Sequence, residues 1–101
     1  MIIMSEGQKI IPEGYHSINS YLVVRNAAKA IDFYKKAFNA EERFRMHGPD
    51  GRTIMHADLK IGDSIFMLTE ESTEMKALSP ESIGGSPVSL YVYVKDVDAV
   101  F

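Results

Sequence analysis

The stretch Ser17-Ile-Asn-Ser-Tyr-Leu-Val-Val-Arg-Asn26, followed by Ala27 to Phe38, decides the fold. Its first part alternates: Ile18, Ser20, Leu22 and Val24 fall on one face of an extended strand, and Ser17, Asn19, Tyr21 and Val23 on the other. Asn26 stands where an N-cap belongs, with a side-chain oxygen free to accept an orphan backbone N–H. Ala27, Ala30, Ile31, Tyr34 and Phe38 then recur at spacings of three and four, one face of a helix. Lys35 and Lys36 fall in its last turn, where the helix dipole favours cations. Asn39 suits the left-handed residue that ends it.

The same pattern nearly recurs seventy positions on. Asn19-Ser-Tyr-Leu-Val-Val-Arg-Asn26 aligns with Ser89-Leu-Tyr-Val-Tyr-Val-Lys-Asp96, Tyr on Tyr and capping Asn on capping Asp. Ala27, Ala30 and Ile31 fall on Val97, Val100 and Phe101. Self-similarity of this kind points to a repeated structural unit.

Between the copies, Glu41 to His47 reads as a strand with Phe44 and Met46 as its apolar face. Gly48-Pro49-Asp50-Gly51 is a turn signal. Thr53 to Ile61 is a third strand, with Met55, Ala57, Leu59 and Ile61 on one side and Ile54, His56, Asp58 and Lys60 on the other. Gly62-Asp63 makes a two-residue hairpin into a fourth strand, Ser64 to Thr69. That turn sets Ile61 opposite Ser64, Leu59 opposite Phe66 and Ala57 opposite Leu68. These pairs form one apolar face for the helix to cover. His56, Asp58 and Lys60, with Thr69, Met67 and Ile65 opposite, face whatever the sheet encloses on its other side. Val88 to Val94 reads as a fifth strand. The expected class is α+β, divided into an arm (1–16), a βαβββ module (17–70), a Ser/Pro/Gly-rich connector (71–86), and the first strand and helix start of a second module (87–101).

The 101 residues are 46% hydrophobic and 25% charged with net charge −3. That is a globular composition with no electrostatic case for nucleic acid or an anionic membrane. The absence of cysteine excludes disulfides, thiolate metal sites and thiol nucleophiles. No apolar run reaches the length of a membrane span, and Met1-Ile-Ile-Met4 is too short for a signal peptide. A cytoplasmic location is the expectation.

The order strand, helix, three strands, then the first strand again resembles the vicinal oxygen chelate superfamily, which includes glyoxalase I, bleomycin-resistance proteins and ring-cleaving dioxygenases. It is most similar to the PhnB-like branch. The resemblance rests on Pro12-Glu-Gly-Tyr-His16, Tyr21-Leu-Val-Val24, Ala27-Ala-Lys-Ala-Ile-Asp-Phe-Tyr34, Pro49-Asp-Gly51, Met55-His-Ala57, Ile61-Gly-Asp-Ser64, Ser79-Pro-Glu-Ser82 and Gly84-Gly85. It implies a cupped sheet around a small-molecule cleft, completed by two modules, often with a metal inside.

Metal ligands in that superfamily come from the first and fourth strands, which here means Asn19, Ser89 and a position near Met67. None is a His or a carboxylate, so the usual metal site is expected to be degenerate, with no metal or cofactor bound. Tyr21, Tyr91 and Tyr93 with Met67 give the cleft an amphipathic aromatic lining suited to a small planar ligand; packing between modules is the other reading. His56 and Asp58, two apart on one strand, could act as a general base or part of a metal site. The alternative, which is favoured, is a histidine satisfied by a neighbour and an aspartate paired with Arg43 or Arg45. The candidate ligand-binding set is therefore Asn19, Tyr21, His56, Asp58, Met67, Ser89 and Tyr91.

Two functions follow from the resemblance. One is a glyoxalase-type lyase, isomerase or dioxygenase; the other is a non-catalytic protein that binds or sequesters a drug or metabolite. Some relatives carry a ubiquinone-methyltransferase label, but no glycine-rich strand–helix turn for a nucleotide-type methyl donor is present. The expected partner is a second copy of the chain, since a single module leaves its cleft and sheet edge incomplete.

Overall fold

In the computed structural model, which describes residues 11–94, Asn26 caps the helix as its chemistry dictates. Its side-chain oxygen accepts the Lys29 N–H at 3.2 Å, and α1 runs Ala27–Phe38. Asn39 closes it in the left-handed conformation (φ 56°, ψ 38°), and the Ala40 N–H turns back to the Tyr34 carbonyl at 3.2 Å. The first turn has no acidic residue of its own; Glu70 reaches across from the sheet and accepts the Ala27 N–H at 3.1 Å.

Four strands form one sheet: β1 (Tyr21–Val24), β2 (Glu41–His47), β3 (Ile54–Ile61) and β4 (Ser64–Glu70). Their spatial order is β1-β4-β3-β2, with β1 parallel to β4 and the other pairs antiparallel. The Gly62-Asp63 turn sets the predicted register: Ile61 opposite Ser64, Leu59 opposite Phe66, Ala57 opposite Leu68. Ala27 and Ile31 of the helix meet Ile54, Ala57, Leu59 and Leu68 of the sheet to form the buried core, flanked by Leu22, Val24, Tyr34 and Phe66. Tyr34 packs edge-on against Phe66, ring centroids 5.1 Å apart. This is the βαβββ arrangement, α+β, that the sequence pattern implies.

Three local features depart from simple alternation. Ile18 is 91% exposed and β1 starts only at Tyr21, because His16 to Asn19 is a closed turn. In it the Asn19 side chain accepts the His16 N–H at 2.8 Å and donates to the His16 carbonyl at 2.7 Å. The β2–β3 ladder slips twice. Arg43 is the extra residue between the pairs Glu42–Leu59 and Phe44–Asp58, and Met55 the extra residue between Met46–His56 and His47–Ile54. The second bulge inverts the phase, so Ile54 is buried and Met55 is exposed, the reverse of the alternation reading. Residues 88–94, expected as a fifth strand, join no ladder.

The connector is pinned to the sheet. It carries a single helical turn, α2 (Pro80–Ile83), capped by the buried Ser79. Glu71 Oε1 accepts the Ser82 hydroxyl at 2.6 Å and the Ser79 N–H at 3.0 Å, while Arg25 reaches Glu71 Oε2 at 3.5 Å and Glu81 Oε2 at 3.4 Å. These donors, the Ser82 hydroxyl first, lower the Glu71 pKa from 4.5 to about 2. A carboxylate depressed on folding stabilises the fold fully above its unfolded value. That contribution is lost as pH falls toward the folded value, here between about 4.5 and about 2. The Glu71 carboxyl carbon should therefore titrate by NMR near the lower figure, and Ser82→Ala should move the midpoint up. A wild-type midpoint at the ordinary carboxylate value would contradict the latch.

Among the described residues, no helix is long and apolar enough to cross a membrane.

Candidate ligand-binding face

The sheet face opposite the helix is set by the ladder. Tyr21 of β1 pairs with Met67 of β4, Met67 with Asp58 of β3, and Asp58 with Phe44 of β2. His56 and its partner Met46 make the next row. Paired residues share a face, so Phe44 and Met46 lie on this open side, at 50% and 45% exposure. The expected apolar face of β2 thus turns away from the helix.

At its centre His56 Nε2 lies 2.7 Å from Asp58 Oδ1. Asp58 forms no ion pair with Arg43 or Arg45, the two partners expected for it; Arg45 binds Glu42 through two nitrogens, at 2.6 and 3.1 Å. Rings stand on both sides of the imidazole, Tyr21 at 5.8 Å between centroids and Phe44 at 6.1 Å. Tyr21 and His56 belong to strands separated by β4, which in a flat sheet are about 9–10 Å apart. Their side chains therefore converge over the intervening strand.

Tyr15 completes the polar end. Burial pushes its phenol up to about 12, assisted by the hydrogen bond and negative charge of Asp58. Gly14 puts it there. The Gly14 carbonyl accepts the Ile65 N–H at 3.1 Å, taking a ladder position beside β4 before the chain loops out. Its φ is +89°, and a Cβ would sit 2.5 Å from Ile65 Cδ1. Only glycine combines that conformation with that approach.

Of the seven candidate residues, the open face brings together Tyr21, His56, Asp58 and Met67. Asn19 spends its amide on the His16 turn and, with Tyr91, borders a separate concavity of about 690 Å³ between the segment before β1, the end of α1, the β3–β4 turn and residues 90–94. Ser89 is exposed and Tyr91 is 90% exposed. A second concavity of about 540 Å³ runs along Ser20 to Val24 beside Leu78, Ile83 and Val88. Neither includes His56 or Asp58, since an uncovered sheet face is not a cavity. Tyr15, Phe44 and Met46 are members that sequence reasoning placed elsewhere. The alternation of Phe44 and Met46 opposite His56 and Asp58 was the available signal.

The metal positions do not fit a metal. Asn19 is committed to backbone, Met67 offers a thioether, and Ser89 is an exposed hydroxyl in no strand of the sheet. No group of three His, Cys, Asp or Glu side chains capable of holding an ion occurs among the described residues.

Residues 14–101 match the family model of the Glyoxalase/Bleomycin resistance protein/Dioxygenase superfamily. The chain belongs to that superfamily. It is 47% identical over 88 residues to uncharacterized proteins of Mycobacterium bovis and Mycobacterium tuberculosis. The match takes in 84% of this chain but 57% and 51% of theirs, so the chain spans about half the length of these relatives. Among solved structures, a gene product of Arabidopsis thaliana superposes with TM-score 0.62 at 25% identity, over 82% of this chain and 65% of that one. A PhnB protein from Bacillus cereus, titled a putative 3-demethylubiquinone-9 3-methyltransferase, overlaps at TM-score 0.49 and 21% identity, over 54% of this chain and 47% of that one.

Proposed function

We propose that this superfamily member binds a small planar molecule on the open face of its sheet, without a metal, and that a second module or second copy closes the cleft. The observation that carries this reading is the convergence of Tyr21, Phe44, Met46 and Met67 around the His56–Asp58 pair. Exposed rings and thioethers supply flat, polarisable contact area, and the pair supplies one polar anchor. Binding or sequestration fits these residues better than metal-assisted lyase, isomerase or dioxygenase chemistry, because Asn19, Met67 and Ser89 are poor ligands. Metal-free proton transfer at His56 is a second reading, favoured by its contact with Asp58.

The test is a fluorescence titration with 2-methoxynaphthalene, a flat ring without a hydrogen-bond donor. Saturable binding is expected, unchanged by prior dialysis against EDTA. Phe44→Ala should weaken it about tenfold, while Ile18→Ala, at a fully solvated position of the His16 turn, should not alter it. No binding, or equal loss in both variants, would contradict the reading.

A further inference from the structure

The orientation of the His56 ring narrows the ligand class. The Asp58 carboxylate sits on Nε2, which fixes the N–H of the neutral ring there and leaves the lone pair on Nδ1. Nδ1 makes no hydrogen bond among the described residues. Yet no described side-chain nitrogen or oxygen is both buried and without a partner. Nδ1 therefore reaches the surface as an unsatisfied acceptor, on a ring that has Tyr21 and Phe44 for aromatic neighbours.

Charge on the same face restricts what can approach. An anionic ring would bring His56 Nδ1 no proton and would meet Asp58 beside it, while Lys60, the cation of β3 on this face, stands four residues along the strand from His56, about 13 Å away in an extended chain. A cation would need that carboxylate, which already receives His56 Nε2–H. What remains is a neutral donor. Resting on the reading of the open face as a ligand site, we infer that the ligand is a neutral planar ring bearing one acidic O–H or N–H, which it donates to His56 Nδ1 while lying between Tyr21 and Phe44. Asp58 is a positioning residue: it holds the imidazole in the accepting tautomer and does not touch the ligand.

The experiment compares 2-naphthol with its methyl ether, 2-methoxynaphthalene, on the whole chain at about pH 8, above the ordinary range of imidazole titration. The two differ in the single donor. Wild type should bind the naphthol about tenfold more tightly, the usual cost of leaving one buried acceptor unpaired. His56→Phe, which keeps a flat ring, should bind both equally while still binding the ether. Equal affinities in wild type would overturn this inference and leave the aromatic face standing. Binding of neither would overturn the face itself. Nitrogen-15 NMR of the unliganded wild-type imidazole gives a check that needs no variant to fold. The Nε2-protonated tautomer is expected, and a dominant Nδ1-protonated form would overturn the assignment.

Discussion

Leu59→Asp is expected to leave the chain unfolded at about 25 °C, while Lys60→Asp, one residue on, shifts the melting temperature by no more than about 5 °C. Leu59 is wholly buried against Ile31, Ala57 and Leu68, on the helix side of β3. Truncating such a leucine to alanine costs about 2–5 kcal/mol. An aspartate there adds the desolvation of a carboxylate with no cation in the core to meet it, which costs several kcal/mol more. A domain of this size has only about 5–15 kcal/mol to lose. Lys60 pairs with Ile65 on the opposite face and remains partly solvated, so its replacement removes little packing. Circular dichroism melts of the two variants check both statements at once. Similar melting temperatures would mean that the faces of β3 are not divided as the ladder divides them.

That division was legible because two short-range signals agree. The Gly62-Asp63 turn fixes one register for β3 and β4, and in that register every apolar residue opposite another falls under the helix. The helix was equally legible, since Asn26 and Asn39 act through contacts within a few residues of themselves. The bulges were not. Around Met55 the neighbours Ile54 and Met55 are both apolar, so alternation cannot tell which one turns inward. Packing against Ala27 and Ile31 decides it, and that is long-range information. Arg43 hides the same way among Glu41, Glu42 and Arg45. The site was half visible for a related reason. His56, Asp58 and Met67 follow from strand parity, whereas Tyr15 arrives through a loop whose path depends on Gly14 meeting Ile65, fifty-one residues away. Asn19 was misplaced because an Asn side chain can satisfy backbone locally, which ends a strand pattern without changing its alternation.

A solution of the 101-residue chain at micromolar concentration should scatter light as a particle of twice the 11.3 kDa of one chain. The reason is the surface left uncovered. β1 pairs only with β4, so its other backbone edge is free among the described residues, and β1 carries no charged side chain to repel another strand. Beside it, residues 88–94 display Val88 at 67%, Leu90 at 47%, Tyr91 at 90% and Tyr93 at 96% exposure, with Val92 between them. An apolar run of that kind, on a chain whose open sheet face also shows Phe44, Met46 and Tyr21, is more than a soluble single chain ordinarily displays. A two-fold pair covers it economically, because each copy offers the other the same edge and the same open face. In such a pair the rings around His56 become the wall of an enclosed cleft, where their contact with a flat ligand excludes water. Ligand binding and association are then coupled: 2-methoxynaphthalene should favour the pair over the single chain, and its apparent affinity should rise with protein concentration. Substituting Tyr91 and Tyr93 with Lys should weaken both together. A well-folded single-chain mass at about 100 μM, with ligand affinity independent of concentration, would show that one copy suffices and that the closure of the cleft comes from elsewhere.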